Sequence, residues 1–382
     1  MTAFSALQRP RSLDRVNDAP AWWRRVDVVL LGGALAIALS GVLMIFSATR
    51  GNGGAENYTG FAFRQLVWIG LGLVLMTVVA AIDYRKLRTY TPWFYGVVTF
   101  ILLFVLSPLG SASKGAQAWF QLGPFQLQPS EFSKIAVILA LAAYCSRQRD
   151  ELNGRLVGVV IGIAGIPMAL IMLQPDLGTV LVFVAITFVL LVIAGAPGKS
   201  LLLLAVMAII AAVVVIQLGI LKQYQLDRLG AFLDPTSNTQ QSAYNLNQSK
   251  IAIGSGGVFG KGLFLGSQTN LRFVPEQHTD FIFTVVGEEL GLVGSGTLLA
   301  LFAILLWRMW QSAKNAPDRF GTFICAGVLA MFVFQIFENI GMTMGIMPIT
   351  GIPLPFVSYG GSSTLACFIG LGLVLSVRYR SA

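Results

Sequence analysis

The sequence of 382 residues is short of the charged side chains that keep a soluble protein in water. Charged residues make up 11% of the chain and hydrophobic residues 55%, whereas an average soluble domain has about 25% charged residues. This composition excludes a soluble globular protein of ordinary usage. We therefore expect a polytopic membrane protein.

Cysteine and histidine are also scarce, which limits the metal and redox chemistry that the chain can carry. The three cysteines, Cys145, Cys325 and Cys367, lie within or beside apolar segments and are odd in number, which favours buried thiols over a disulfide framework or a metal site. The single histidine, His278, has no partner histidine, so a hydrogen-bonded structural role is favoured over metal ligation. No cluster of histidines or carboxylates has a recognisable metal-ligand spacing.

Long apolar runs dominate the rest of the chain. A helix needs about 20 residues to cross a hydrocarbon core of about 30 Å. Backbone in lipid must satisfy its hydrogen bonds internally, and strand-like alternation is absent, so the runs are predicted to be helices. The predicted fold is all-α with ten transmembrane helices, at residues 26–48, 65–82, 93–108, 130–145, 156–174, 177–194, 200–220, 281–307, 321–346 and 362–377.

Lysine and arginine are distributed unevenly between the two sides of this predicted domain. By the positive-inside rule the richer side is cytoplasmic, and it holds Arg9, Arg11, Arg15, Arg24, Arg25, Arg85, Lys86, Arg88, Arg147, Arg149, Arg155, Lys199, Arg308, Lys314, Arg319, Arg378 and Arg380. The short connections on the other side hold only Arg50, Arg64 and Lys114. Both termini are thus expected inside, which requires an even number of helices.

This orientation also explains the charge and the domain organisation. The net charge of +9 follows from the topology and from anionic inner-leaflet lipid, so no nucleic-acid partner is needed to account for it. We expect a cytoplasmic basic tail at residues 1–25 and one membrane domain at residues 26–382. Residues 221–280 form its large extracytoplasmic loop.

Polar residues gather on the predicted outer side in four segments. They are residues 114–134, with Lys114 and Trp119; residues 174–179, with Asp176; the end of the large loop, residues 272–281; and a proline- and glycine-rich segment, residues 348–363. The last is apolar enough to be re-entrant, a shape tolerated only where it lines protein or a wet cavity. Four such segments on one face predict a single cavity.

A glycine-rich run in the large loop, residues 254–262, resembles a phosphate-binding loop only superficially. The Walker spacing needs Gly where Ser255 stands and Ser or Thr where Gly262 stands, and the dinucleotide pattern fails at Phe259. The run is either a plain linker or a loop packed closely against the membrane or a lipid headgroup.

Several polar residues also have a purely structural interpretation. Trp119 is then an interfacial anchor, and Glu131 and Lys134, three residues apart on a helix, form an ion pair that lowers the cost of burial. Glu288 and Glu289 lie within an apolar run, where a charge is penalised by about 2.5–3.5 kcal/mol. They must face protein or water, and pairing with Lys134 or Gln335 would satisfy them.

Asp280 stands at the mouth of the predicted cavity, immediately before an apolar helix. There it stays solvated enough to be ionised at neutral pH. Thr279 and Asp280 also suit a helix cap, because the helix dipole favours a carboxylate at that end. A capping role and a catalytic role are compatible, and the residues alone favour neither.

The motifs of the last third of the chain resemble the shape, elongation, division and sporulation (SEDS) family. The resemblance rests on Pro275–Phe283, on Gly287–Gly291 and on Pro353–Ser363, and it extends over the membrane region from Asp27 to Arg378. Residues 114–119, 174–179 and 348–353 are most similar to the branch that acts in cell elongation and cell shape. Gly287 is more usual in the division branch.

The resemblance implies a peptidoglycan glycosyltransferase of the bacterial cytoplasmic membrane. Such an enzyme joins disaccharide-pentapeptide units carried on undecaprenyl diphosphate (lipid II) into a glycan strand outside the membrane. The essential carboxylate of the family falls on Asp280. The resemblance further implies stimulation by a divalent cation, Mg²⁺ or Mn²⁺, and partnership with a class B penicillin-binding protein and other membrane proteins of the elongation complex.

The expected chemistry is one inverting displacement, because the donor is α-linked and the product β-linked. It needs a base for the acceptor hydroxyl, for which we expect Asp280, and cationic groups for the departing diphosphate. Lys114, Arg228 and Lys261 are candidates for the diphosphate, and Trp119 for the sugar or a lipid tail. The remaining candidate substrate-binding residues are Asp176, Glu276, His278, Ser358 and Tyr359.

Two other classes of function stay open from the sequence. One is a lipid II flippase or another transporter, but transporters usually place charges near the midplane on broken helices of paired repeats, and no clear internal repeat is present. The other is a non-catalytic scaffold for a penicillin-binding protein, in which Asp280 would only cap a helix. A division-type polymerase is the alternative within the family.

Overall fold

The computed structural model describes residues 27–50, 58–113, 116–123, 125–148, 154–217, 219, 222–233 and 241–381. The expected basic tail at residues 1–25 lies outside these ranges. The described chain forms helices α1 (Val28–Arg50), α2 (Tyr58–Ala81), α3 (Tyr84–Phe104), α4 (Pro129–Cys145), α5 (Gly154–Leu173), α6 (Leu177–Ile193), α7 (Gly198–Gln217), α8 (Gln223–Leu233), α9 (Gln241–Ser255), α10 (Ser267–Asn270), α11 (Ile282–Lys314), α12 (Arg319–Met344) and α13 (Gly361–Tyr379). Strands β1 (Ser111–Ser113), β2 (Ala116–Leu122) and β3 (Phe125–Leu127) lie between α3 and α4.

The ten predicted apolar runs coincide with α1 to α7 and α11 to α13. Within the described ranges, six of these helices, α1, α2, α7, α11, α12 and α13, are long and apolar enough to cross a membrane, and α5 and α6 contain shorter apolar helices. These lengths follow from the apolar runs, because a helix satisfies every backbone group internally where water is absent. The chain is a mostly helical, multi-pass membrane protein.

A small antiparallel sheet makes the expectation of an all-α chain wrong at one place. Its strands are ordered β1-β2-β3, with Ser111 opposite Trp119 and Phe120 opposite Leu127. The strands have only three to seven residues, too few for an alternating pattern to stand out in the sequence. The sheet lies in a connection between helices, where its edges need not face lipid, and it carries Trp119.

The centre of the bundle is built from α4, α12 and α13. Residues 133–143 of α4 are all buried, and 72% of the apolar window of α12 and 78% of that of α13 are buried. These helices pack on one another and on α2, α3, α6 and α11. This packing leaves α7 at the outside, where none of the residues of its apolar window whose burial is described is buried.

Ion pairs collect at the end of the bundle where α11 stops and α12 begins. Asp27 is buried and accepts from Arg308 at 2.8 Å and from Arg378 at 3.0 Å. Asp318 caps α12 through Gly321 N and pairs with Arg85 at 3.2 Å. These contacts tie α1, α3, α11, α12 and α13 together at their basic ends.

The described part of the large loop contains the short helices α8, α9 and α10; α9 packs on α8, α11 and α12, and α10 packs on α11. Helix α9 is buried along one side, and its Ser249 Oγ donates to Thr343 O of α12 at 2.7 Å. The glycine-rich run that follows is not a plain linker, because it packs on the backbone of α11, whereas contact with a lipid headgroup stays a prediction. A Cβ at Gly260 would lie 2.1 Å from Glu289 O, so this approach requires glycine.

The run also completes the hydrogen bonding of a kink in α11 at Gly291, where φ is 63°. Lys261 N donates to Glu288 O at 3.0 Å, and Leu292 N donates to Gly257 O at 3.0 Å. The loop thus supplies partners for backbone groups that the kink would leave unsatisfied.

The two adjacent glutamates of α11 are paired differently from expectation. Buried Glu288 accepts from Lys261 Nζ at 2.7 Å and from two backbone N–H groups of α10 at 2.8 and 2.9 Å. Buried Glu289 accepts from Ser47 Oγ of α1 at 2.6 Å. The predicted partners Lys134 and Gln335 are wrong, because Glu288 lies against the large loop rather than against α4 or α12.

Candidate active site

A polar cavity of about 600 Å³ opens at the end of the bundle opposite the ion pairs of Asp27 and Asp318. Its walls come from α2, β2, the first turns of α4 and α6, α8, the end of the large loop, and the segment between α12 and α13. The sequence predicted one cavity from four polar segments, and all four contribute to this one. The charged side chains in its wall are Arg64, Glu131, Lys134, Asp176, Arg228 and Asp280.

Asp280 lies in the wall of this cavity, half-buried, two residues before α11 begins. The N-cap residue of α11 is Phe281, and within the described residues there is no side-chain capping hydrogen bond at this helix end. The structure therefore does not support the interpretation of Asp280 as the N-cap residue. Its carboxylate is instead a polar group of the cavity wall.

Gly351 allows the backbone between α12 and α13 to approach Asp280 closely. Its φ is 77°, and a Cβ there would lie 3.2 Å from Asp280 Oδ2 and 3.4 Å from Arg228 Nη1. The carboxylate and the guanidinium thus approach the same face of one glycine. An acidic group and a cationic group are held together at one point of the wall.

Arg228 is positioned by the large loop. Its Nη1 donates to Thr350 O at 3.4 Å, and its guanidinium lies 5.6 Å from the centre of the Tyr224 ring on the preceding turn of α8. Tyr224 donates its hydroxyl hydrogen to Pro175 O at 3.0 Å, and burial raises the pKa of Tyr224. The phenol therefore stays protonated and ties α8 to the segment that precedes α6.

Glu131 and Lys134 form a buried ion pair in the cavity wall. Lys134 Nζ lies 2.8 Å from Glu131 Oε1, in the i,i+3 geometry expected from their spacing, and both side chains are at most 3% exposed. Glu131 Oε2 is buried and has no hydrogen-bond partner among the described residues. The pair places one carboxylate oxygen at the cavity without a protein donor.

Asp176 lines the same cavity, but it also has a structural role. It is the N-cap residue of α6, accepting from Thr179 N at 3.0 Å and from Thr179 Oγ1 at 2.7 Å. Gln128 Nε2 donates to it at 3.3 Å. The cap alone accounts for this carboxylate, and its role in binding a substrate stays a prediction.

Trp119 and Tyr359 complete the group of predicted residues that line the cavity. Trp119 reaches it from the middle of β2, and Tyr359 from the residues just before α13. Tyr359 packs edge-on against Phe61 of α2 with ring centres 5.1 Å apart. Two aromatic faces are therefore available beside the charged groups.

Four predicted binding residues do not line the cavity. The ammonium of Lys261 is held by Glu288, so its role in binding a diphosphate stays a prediction. Glu276 is exposed and accepts from Thr279 Oγ1 at 3.2 Å, His278 packs against the Phe61 and Tyr359 rings, and Ser358 is buried. The predicted Lys114 lies outside the described residues.

Other residues of the cavity wall were missed by the sequence analysis. On α2 they are Arg64 and Trp68, and the Trp68 ring packs against Gly361. Arg64 interrupts an apolar run, and that was the available indication, but it served only to set the orientation of the helices. Gln128, whose N–H donates to Ser362 Oγ at 2.9 Å, carried no comparable indication.

The donor set of the cavity does not form a preassembled metal cage. No group of three or more His, Cys, Asp or Glu side chains is placed to hold a metal ion in the part of the chain that the structure describes. Mg²⁺ commonly binds one or two carboxylates together with substrate phosphates. The cavity wall holds three carboxylates, those of Asp280, Asp176 and Glu131, and one or two are enough for binding of that kind, so the cation stays a prediction.

Comparison with known proteins agrees with the helical bundle. The chain of Thermus thermophilus rod shape determining protein RodA superposes with a TM-score of 0.69 at 32% identity, over 93% of this chain and 97% of that one. A chain of a peptidoglycan synthase complex, described for its coordination of polymerization and crosslinking, superposes with a TM-score of 0.80 at 32% identity, over 93% and 98%.

Sequence relatives cover almost the whole chain as well. Peptidoglycan glycosyltransferase MrdB of Escherichia coli (strain K12) is 38% identical over 96% of this chain and 97% of its own length. Stage V sporulation protein E of Bacillus subtilis (strain 168) is 35% identical over 92% and 97%.

The fold and the cavity define a multi-pass membrane protein with one charged polar site at an end of its bundle. The profile of the FtsW, RodA and SpoVE cell cycle proteins matches residues 28–382. The chain belongs to this family, which is the SEDS family that its motifs resemble.

Proposed function

We propose that the chain is a peptidoglycan glycosyltransferase that polymerises lipid II into glycan strands, with Asp280 as the general base. The observation that carries this proposal is the Asp280 carboxylate in the wall of a 600 Å³ cavity, where it shares one face of Gly351 with Arg228. A base beside a cation suits a reaction in which a hydroxyl loses a proton while a diphosphate departs.

The reaction replaces one C–O bond of the donor by another and moves one proton. The 4-hydroxyl oxygen of the acceptor sugar attacks the anomeric carbon of the donor, Asp280 takes the hydroxyl proton, and the bond to the diphosphate oxygen breaks. Arg228 and Arg64 supply positive charge for the diphosphate, and the Trp119 and Tyr359 rings provide faces for a sugar. Because Asp280 is only half-buried, it returns its proton to water after each transfer.

Charge distribution supports placing this cavity outside the cytoplasmic membrane. Helix α11 has 33 residues with a kink at Gly291, so at about 1.5 Å per residue Asp280 and Lys314 lie at opposite ends of a helix at most roughly 50 Å long. The basic residues Arg85, Arg308 and Arg378 collect at the far end with Asp27 and Asp318. By the positive-inside rule that end is cytoplasmic and the cavity is extracytoplasmic.

The proposal includes a cation, a partner and a biological setting. A divalent cation, when bound, would supply positive charge to the departing diphosphate, and Asp176, Glu131 and Asp280 are the carboxylates of the cavity wall that would hold it. A class B penicillin-binding protein crosslinks the strands, in keeping with the synthase complex that this fold matches. The RodA-like structure and 38% identity to MrdB, against 35% to FtsW of Geobacter metallireducens, favour elongation and cell shape over division.

Replacement of Asp280 tests the proposal. Purified protein, with a partner whose transpeptidase site is inactivated, receives lipid II and a divalent cation, and glycan polymer is measured. Asp280→Asn keeps the shape of the side chain but removes the base, so the polymerisation rate falls by about 10²- to 10⁴-fold.

The matched control is Asp227→Asn on α8. Asp227 accepts from Gln223 Nε2 at 3.0 Å and does not line the cavity, so this variant keeps the wild-type rate. A flippase would move lipid II between leaflets without making polymer, and a scaffold would do neither. Polymer formed by folded Asp280→Asn at the wild-type rate would rule out the proposed base.

A further inference from the structure

Three consecutive backbone carbonyls that end at Asp280 are each held by a donor from residues 339–359. Tyr359 N donates to His278 O at 2.9 Å, and Ser358 Oγ donates to Thr279 O at 2.6 Å. Asn339 Nδ2 donates to Asp280 O at 2.8 Å. The residues immediately before α11 are therefore hydrogen-bonded to α12 and to the segment between α12 and α13.

Asn339 hydrogen-bonds both the backbone of Asp280 and the backbone segment that the Asp280 carboxylate faces. Its side chain is fully buried in α12, and its Nδ2 also donates to Ile352 O at 2.8 Å. Ile352 follows Gly351, the residue that approaches the Asp280 carboxylate. One carboxamide thus sets the spacing between the backbone that carries the carboxylate and the backbone that the carboxylate faces.

Burying the side-chain amide of Asn339 costs free energy unless the amide forms hydrogen bonds. An amide in an apolar helix loses its hydration, and only hydrogen bonds compensate for that loss. Both N–H groups of Asn339 are used on these two carbonyls, whereas its Oδ1 has no partner among the described residues. The donors, and not the acceptor, account for an amide here.

Ser358 has a matching arrangement. It is 3% exposed, and its hydroxyl donates to Thr279 O while accepting from Leu354 N at 2.8 Å. The hydroxyl does not line the cavity. Its contacts fix the turn from which Tyr359 reaches the cavity and the carbonyl that precedes Asp280.

We propose that Asn339 and Ser358 are positioning residues that hold the Asp280 carboxylate against Gly351 and Arg228. The proposal rests on the proposed function, because it assigns these residues a role through the base. Without either donor, the backbone at residues 279–280 is free to shift, and the base loses its alignment with the acceptor hydroxyl. A misplacement of about 1 Å costs on the order of 10²-fold in rate.

The test compares two serine-to-alanine variants with closely similar hydrogen bonds. Ser358 donates to a carbonyl at 2.6 Å and accepts one N–H bond. Ser376 of α13 is buried, donates to Ile82 O at 2.6 Å and accepts from Arg380 Nη1 at 2.9 Å, at the basic end of the bundle. Both variants lose a buried hydroxyl, but only Ser358→Ala loosens Asp280.

The expected result is a separation of kcat from KM. In the partner complex, Ser358→Ala lowers kcat for glycan polymerisation by about 10-fold or more, with KM for lipid II unchanged, whereas Ser376→Ala keeps the wild-type kcat. The two variants lose similar thermal stability. Asn339→Asp, which keeps the size of the side chain and removes the amide donors, lowers kcat in the same way.

Amide hydrogen exchange supplies a second measurement that does not depend on activity. Exchange in residues 278–281 becomes faster in Ser358→Ala and Asn339→Asp and stays unchanged in Ser376→Ala. Equal kcat values for Ser358→Ala and Ser376→Ala would overturn the positioning role, even if Asn339→Asp fails to fold. Full activity of Asp280→Asn in the same assay would instead overturn the proposed function.

Discussion

Gly351→Ala should slow polymerisation without disturbing the rest of the bundle. The added methyl group would lie 3.2 Å from Asp280 Oδ2 and 3.4 Å from Arg228 Nη1, so at least one of these groups must move by a few tenths of an ångström. The φ of 77° at Gly351 adds a backbone cost of roughly 1–2 kcal/mol for any L side chain. The backbone strain at Gly351 therefore lowers the stability, and the added methyl group separately displaces Asp280 or Arg228.

The effect on the rate follows from the size of the displacement. If a misplacement of about 1 Å costs on the order of 10²-fold, a few tenths of an ångström cost about threefold to tenfold. We expect Gly351→Ala to lower kcat for glycan polymerisation by that factor, measured with lipid II and the partner complex. The loss of thermal stability in detergent should correspond to roughly 1–2 kcal/mol.

Gly195 provides the matched control. It lies between α6 and α7 with φ of 81°, and a Cβ there would meet no atom within 4 Å. Gly195→Ala therefore has the same backbone strain but no contact with the site. Equal polymerisation rates for the two variants, at equal losses of stability, would refute the placement of Asp280 against Gly351.

Two further predictions concern charged groups away from the base. Lys134→Met leaves buried Glu131 without its partner and should lower the free energy of unfolding by about 3–5 kcal/mol. Adding Glu131→Gln should recover most of the lost thermal stability, and no recovery would contradict the importance of the ion pair. Burial alone would raise the pKa of Asp318, but hydrogen bonds from Gly321 N, Tyr84 and Arg85 outweigh it and hold the pKa below its ordinary value. Asp318→Ala should therefore cost about 0.5–2 kcal/mol at pH 7. A lowered folded pKa contributes its full stabilisation above the unfolded value of about 3.9 and loses it as the pH falls toward the folded pKa. The difference in Tm from wild type should therefore shrink as the pH falls below about 4, and a constant difference would contradict the ionised contact.

Much of the site could be located from local patterns. The four polar segments of the predicted outer side stand out because polar residues interrupt a chain that is 55% hydrophobic. Asp280 was singled out by its position before an apolar run, and it lies in the cavity. Glu131 and Lys134 were paired correctly because residues three apart share a helix face.

Long-range partners could not be obtained in the same way. Lys261 and Arg228 both lie in the large loop and both are cations, yet only Arg228 reaches the cavity, whereas Lys261 neutralises Glu288 of α11. The roles of Asn339 and Ser358 depend on contacts with residues 59 and 79 positions away in the chain. The periodicity of the sequence does not indicate which carbonyl oxygen a buried donor will contact.

The sequence by itself determined the helices, because a backbone in lipid has few ways to satisfy its own hydrogen bonds and long apolar runs leave only the helical one. It also determined which end of the bundle is basic, through the spacing of lysine and arginine between those runs. Only the tertiary structure decided which polar residues share the cavity, why Gly351 is glycine, and that a small sheet carries Trp119. Those features arise where segments distant in the chain come within a few ångströms of one another, and such distances are set by the packing of the whole bundle.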